Sequence, residues 1–185
     1  MNYINDIKAY LEQELEAINS LDLEKVNEVM NVLENARLEG KRIYICGNGG
    51  SGSTASHFCC DFNKVCDNKE KKYSIECLND NLPTILAVSN DYGYDEVFRY
   101  QLKNKMKEGD IFIGISGSGN STNVVNAMDY ANSIGGTTIA IVGYDGGKIK
   151  KMADHKLHVN INNMQVSEDV HLILNHIMTY IIRNM

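Results

Sequence analysis

Two short segments, Gly47-Asn48-Gly49-Gly50-Ser51-Gly52-Ser53 and Ser116-Gly117-Ser118-Gly119-Asn120-Ser121, each follow an apolar run and precede a stretch of helical spacing. Loops of this kind leave backbone N–H groups unpaired at a helix start, where the helix dipole favours negative charge. The hydroxyls of Ser51, Ser53, Ser116, Ser118 and Ser121 add donors without adding charge, so together the loops suit a small phosphate monoester. Small residues can also serve only to cap helices and turn the chain, but two such loops in equivalent positions favour the anion. His57 and Asp61 are four apart after the first loop and share one face of a helix. Glu168 and His176 are eight apart, about two helical turns, and point to one side of the last helix. A carboxylate beside an imidazole is the basic equipment of general acid–base catalysis.

The first loop also satisfies a dinucleotide pattern, since Gly47, Gly49 and Gly52 spell GxGxxG. That reading needs an acid closing the next strand about twenty residues on, and here Tyr73-Ser74-Ile75-Glu76-Cys77 runs into the later, poorly placed Asp80. The second serine loop is surplus to it, and no GxxxxGK[ST] segment is present. No nucleotide cofactor is therefore expected. His171 reads as a hydrogen-bonded core histidine, and His155 and His158 as structural residues alternating on a strand. Cys59 and Cys60 lack a neighbouring base in sequence and make poor nucleophiles.

The elements that must position these groups follow from periodicity. Apolar residues at three and four spacing predict helices over 3–19 (Ile7, Tyr10, Leu11, Leu15) and 22–39 (Val26, Val29, Met30, Leu33). A β-branched run over 42–46 predicts a strand leading through the first glycine loop into a helix over 53–65. The unit recurs as strand 110–115, loop 116–121 and helix 122–134, followed by a strand over 137–143 and shorter ones over 73–77 and 155–161. Residues 167–185 form a final helix, with Ser167 as its N-cap and apolar residues around most of its circumference. Strands alternating with helices of this length demand an α/β fold with a parallel sheet covered on both faces. One domain spans 1–185, with a helical extension over 1–40 and an α/β core over 41–185. The apolar last helix and the two leading helices suggest that subunits pack through a helical bundle.

Composition narrows the function. The chain has 185 residues, 43% hydrophobic and 23% charged, which suits a globular domain and excludes disordered and collagen-like classes. A net charge of −6 disfavours a dedicated nucleic-acid or anionic-membrane surface. No apolar run approaches the roughly eighteen residues of a membrane span, and the first residues lack a signal-peptide core, so the chain reads as cytoplasmic. Five cysteines, an odd number without CxxC spacing, predict no disulfide.

Several segments together resemble the sugar-isomerase (SIS) domain family, and within it the sedoheptulose 7-phosphate isomerases. They are CGNGGS (46–51), His57-Phe58 with Asp61, SNDYGYDEVF (89–98), GDIFIGISGSGNS (109–121), DGGK (145–148) and EDVHLILNHI (168–177). The resemblance covers almost the whole length. It implies a flavodoxin-like, five-stranded parallel sheet, a homotetramer with sites shared between subunits, and a small phosphorylated sugar as ligand. Substrate contacts are implied at Asn48, Gly49, Gly50 and Ser51, at Asn90 and Asp91, and at Ser116, Gly117, Ser118, Ser121 and Glu168. Read without the resemblance, Asn90 and Asp91 equally suit a turn before Tyr92-Gly93. The catalytic base of the family falls at Asp61 and its histidine at His176. A zinc site carried by some members falls at His57, Asp61, Glu168 and His176. Three departures stand out. Asp61 replaces a glutamate and is one methylene shorter, Glu168 replaces a glutamine, and Val65 replaces an arginine, with Lys64 adjacent. The resemblance therefore implies a ketol isomerase, with a noncatalytic phosphosugar-binding or scaffold protein as the alternative.

Overall fold

Strands β1 (Ile43–Gly47), β3 (Ile111–Ser116) and β4 (Thr137–Val142) are buried almost from end to end, as strands covered on both faces must be. The computed structural model, which describes all 185 residues, pairs them with β2 (Ile75–Cys77) and β5 (His155–His158) in the order 2-1-3-4-5. Every pairing is parallel. This is the flavodoxin-like order that the family resemblance implies. Alternation along the strands builds two cores. Ile43, Ile45, Ile113 and Ile141 face α1 (Ile4–Asn19), α2 (Leu23–Glu39), α3 (Gly49–Val65) and α8 (Met164–Asn184). Tyr44, Phe112 and Ala140 face α4 (Leu82–Tyr92), α5 (Val97–Lys105), α6 (Thr122–Ser133) and the short α7 (Gly147–Met152). No helix is long and apolar enough to cross a membrane, and all five cysteines are free.

Several local expectations are corrected. Helix α3 starts at Gly49 rather than 53, so the first glycine segment is the first turn of a helix and not a separate loop. Helix α8 starts at Met164, because the Asn163 side chain accepts from the Gln165 and Val166 N–H groups. Ser167 lies buried inside the helix and donates back to the Asn163 carbonyl at 2.8 Å. Helix α4 was not foreseen, since its sequence carries the only proline. Pro83 stands in the first turn, however, where its missing N–H has no helical partner to lose, and Asn81 caps the helix by accepting from Thr84. Asn90 and Asp91 therefore end a helix instead of forming a turn.

Two helices keep apolar residues at the surface of the protomer, α1 as the bundle expectation requires and α8 over less of its circumference than expected. Ile4, Ile7, Leu11 and Leu15 form a stripe along α1 that is more than half exposed in the protomer, and only Ala17 of that helix is buried. On α8 one face is buried, from Val166 through Val170 and Leu174 to Met178, while Tyr180 and Ile181 remain exposed.

His171 is fully buried on α8, and neither of its ring nitrogens has a hydrogen-bond partner, against the expectation of a satisfied core histidine. Burial pushes its pKa down from 6.5 to about 4. The unfolded chain therefore binds a proton that the folded chain refuses. Stability is full above pH 6.5 and falls as pH drops from there towards 4, by up to about 3 kcal/mol at 1.36 kcal/mol per pKa unit. Melting temperature followed against pH checks this. His171→Leu is expected to flatten the fall between pH 6.5 and 4, and an unchanged slope would contradict it.

Candidate active site

The connections leaving β1 and β3 run to opposite faces of the sheet, and a parallel sheet opens a crevice at the carboxyl ends of such neighbours. A cleft of about 150 Å³ lies there, lined by Asn48, Ser51, Ser116, Gly117, Ser118 and Ser121, with Met164 and Glu168 from the start of α8. The two helix starts that meet in it, α3 and α6, have no side-chain cap, so first-turn N–H groups remain open to a ligand. Ser116 Oγ lies 3.3 Å from Ser121 Oγ and accepts from the Gly119 N–H at 3.1 Å, and Ser118 Oγ accepts from the Asn120 N–H at 3.2 Å. The turn requires Gly119. Its φ is 64°, and a Cβ there would strike the Gly146 carbonyl.

The serine residues thus meet as expected, with one exception. Ser53 is exposed on α3 and bonds back to the Gly49 carbonyl at 3.4 Å, outside the cleft. Gly49 and Gly50 belong to the first turn of α3, and Gly50 has a steric reason to be glycine: a Cβ would fall on the Glu168 carboxylate. Asn48 is fixed by a reciprocal pair of bonds with Asn123, at 2.9 and 3.0 Å, and accepts from the Tyr94 hydroxyl at 2.8 Å. Asn90 and Asp91 are exposed at the end of α4, bonded to each other, and do not line the cleft of the protomer.

Helices α3 and α8 run side by side in the same direction. Glu168 therefore meets Gly50, and two turns on, about 10 Å at 1.5 Å per residue, His176 meets His57 and Asp61. There Asp61 Oδ2 is the point of convergence. It lies 3.2 Å from His57 Nε2 and 3.8 Å from His176 Nε2, and accepts from Asn175 Nδ2 at 2.9 Å, while Oδ1 takes no hydrogen bond. The two imidazole Nε2 atoms are 3.4 Å apart. Despite its missing methylene, Asp61 reaches both histidines, and it pairs with His57 instead of Lys64. Glu168 is not brought to this group, so the protomer assembles three of the four implied metal ligands.

Residue reading missed Asn123, Tyr94, Met164 and Asn175. Tyr94 and Asn175 lie inside segments already singled out, but nothing in their own spacing shows that one buttresses Asn48 and the other orients Asp61.

The family model for the SIS domain matches residues 2–143. The chain belongs to the SIS-domain family. Curated relatives of this SIS-domain protein include the phosphoheptose isomerase of Aliarcobacter butzleri, 37% identical over 163 residues that cover 88% of this chain and 84% of the relative. The phosphoheptose isomerase of Helicobacter pylori is also 37% identical, over 171 residues covering 92% and 87%. Among solved structures, phosphoheptose isomerase GmhA from Neisseria gonorrhoeae superposes with a TM-score of 0.91 at 28% identity, covering both chains fully. The SIS fold explains why the serine loop and the helix carrying His57 meet at one crevice.

Proposed function

We propose that this SIS-domain protein is a ketol isomerase of sugar phosphates that converts sedoheptulose 7-phosphate to D-glycero-D-manno-heptose 7-phosphate. The observation that carries the reading is the convergence of His57, Asp61 and His176 on α3 and α8, whose first turns also line the serine cradle formed at the uncapped starts of α3 and α6. The names of the relatives at 37% identity support the substrate. With the phosphate among Ser51, Ser116, Ser118 and Ser121, the reacting carbons lie two helical turns away, a span that suits a long sugar chain and not a triose.

Isomerisation then needs two proton transfers. Asp61 Oδ1, the unbonded carboxylate oxygen, takes a proton from C1 of the ketose while His176 protonates the C2 carbonyl oxygen, giving an enediol. The proton held on Asp61 goes to C2. O1 returns its proton to His176 as the C1 carbonyl forms, so that one hydrogen has moved from C1 to C2 and one from O1 to O2. His57 and Asn175 hold the carboxylate in place through Oδ2.

The same cluster fits zinc. With metal–ligand bonds of about 2.0–2.1 Å, a tetrahedral site separates its donors by about 3.3–3.4 Å, and the three donor atoms here lie 3.2, 3.4 and 3.8 Å apart. His57, Asp61 and His176 would hold the ion, with Glu168 too far along α8 to join without leaving Gly50. Bound there, zinc would supply Lewis-acid polarisation of the substrate oxygens in place of the proton that His176 Nε2 supplies without it.

Copies of the chain complete the site. The His57 and His176 side chains are 45% and 53% exposed, too open for proton transfer at carbon in competition with water, and the α1 stripe of Ile4, Ile7, Leu11 and Leu15 needs cover. We read the assembly as a cytoplasmic homotetramer packed through these helices. Sedimentation at micromolar concentration is expected to show the oligomer, and Leu11→Glu with Leu15→Glu to dissociate it and abolish turnover. A fully active monomer would contradict this.

The functional test is NMR of the protein with five- and seven-carbon ketose phosphates. Aldose formation from sedoheptulose 7-phosphate supports the isomerase, whereas binding without conversion would leave a noncatalytic phosphosugar-binding protein.

A further inference from the structure

A second cleft, of about 300 Å³, opens between the start of α2, the end of α7 and strand β5, away from the residues of the serine cradle. Its lining is basic in a chain of net charge −6: Lys25, Lys150, Lys156 and His158 all face it. Two of its charges are already spent locally. Lys25 pairs with Glu28 at 2.5 Å, and Asp22, the one acid of the lining, caps α2 by accepting from the Lys25 N–H at 3.1 Å.

Lys150 and Lys156 take part in none of the ion pairs of the structure. Lys150 is half-buried, and its ammonium is held by neutral acceptors only, His158 Nδ1 at 3.0 Å and the Asp145 carbonyl at 3.3 Å. An ammonium has three N–H donors and nothing to accept with, so His158 Nδ1 must be the lone-pair nitrogen, and Nε2–H donates to the Tyr144 carbonyl at 2.8 Å. Tyr144 is the single non-glycine residue in the left-handed region, with φ of 44°, a conformation that side chains disfavour. A strained carbonyl thus orients a histidine, which orients a lysine, and the lysine keeps one N–H and its whole charge unmatched in a cleft that a second unpaired ammonium, Lys156, also lines.

We infer that this cleft binds a small phosphate-bearing anion, with Lys150 and Lys156 as its charged contacts. Two ammoniums lining one cleft suit a diphosphate, and charge-assisted bonds to phosphate oxygens would supply the partner that Lys150 lacks. The volume stands at the lower end of about 300–1,000 Å³ for small-molecule sites. The cleft differs in chemistry from the serine cradle, which is smaller and lined by no cation, and the inference does not rest on isomerase activity.

Calorimetry with pyrophosphate tests it on the full-length protein. The Ser116→Ala, Ser118→Ala double variant, with the cradle weakened, is expected to retain one pyrophosphate per chain. Adding Lys150→Met and Lys156→Met is expected to weaken that binding at least about tenfold, because both charge-assisted contacts are lost. Lys156 is exposed, so Lys156→Gln alone will fold and is expected to weaken binding at least about threefold at unchanged melting temperature. Absence of pyrophosphate binding in the serine double variant, or unchanged affinity on loss of both lysines, overturns the inference and leaves the cradle reading intact.

Discussion

Asp61→Asn is expected to lower isomerase turnover about a hundredfold or more while leaving sugar-phosphate affinity nearly unchanged, the separation expected of a group that acts on the reacting carbon. The amide keeps the shape of the carboxylate and can still meet His57 and Asn175 through one polar atom, so the helix pair α3/α8 should stay assembled. What it loses is the lone pair on Oδ1 basic enough to take a proton from carbon. His176→Asn is expected to show a similar fall, because His176 lies 3.8 Å from the same carboxylate and serves the oxygen side of the reaction. The double variant should be little worse than either single one, since the two groups act as a unit. Turnover by NMR and affinity by calorimetry together check this. A loss of affinity as large as the loss of turnover would make the cluster a binding element and not the acid–base pair.

Ser116→Ala with Ser118→Ala is expected to weaken binding of the phosphorylated sugar by about ten- to a hundredfold, on the basis of about 1.5–3 kcal/mol for a hydrogen bond to a charged group. The loss exceeds that of simple contacts because Ser116 Oγ also holds the Gly119 N–H and neighbours Ser121 Oγ, and therefore shapes the turn. The dephosphorylated sugar supplies the control. It should bind weakly to both proteins and with nearly the same affinity. Equal affinity of the wild type for the phosphorylated and dephosphorylated sugars would remove the cradle from the phosphate altogether.

Much of this was legible from local spacing. Alternation in Ile43-Tyr44-Ile45-Cys46 and again in Ile111-Phe112-Ile113 marks strands covered on both faces, and the four-residue step from His57 to Asp61 places both on one helical face. Helix starts were less legible. Gly49 and Gly50 look like loop residues because glycine disfavours helices, yet they open α3 where Glu168 packs too closely for a Cβ. Ser167 looks like a cap, but Asn163, four residues earlier, caps α8 through two N–H groups. Pro83 hid α4 because the same residue that breaks a helix interior is harmless in a first turn. The separation of Glu168 from the His57–Asp61–His176 cluster was open to local reading only in part. The eight residues between Glu168 and His176 set the two about 12 Å apart along α8, but that Glu168 packs on Gly50 instead of reaching towards the cluster depends on how α8 lies along α3, which spacing within one helix does not encode.

Isomerisation of sedoheptulose 7-phosphate in D2O, followed by NMR, tests proton transfer through Asp61 most directly. The wild type is expected to form heptose 7-phosphate carrying deuterium at C2, because the carboxylate that takes the proton is only partly buried and carries solvent deuterium when it returns one to carbon. Asp61→Asn is expected to form neither product nor deuterated ketose at a comparable rate. Absence of any conversion by the wild type, or conversion at full rate by Asp61→Asn, would contradict the assignment of the reaction to this cluster.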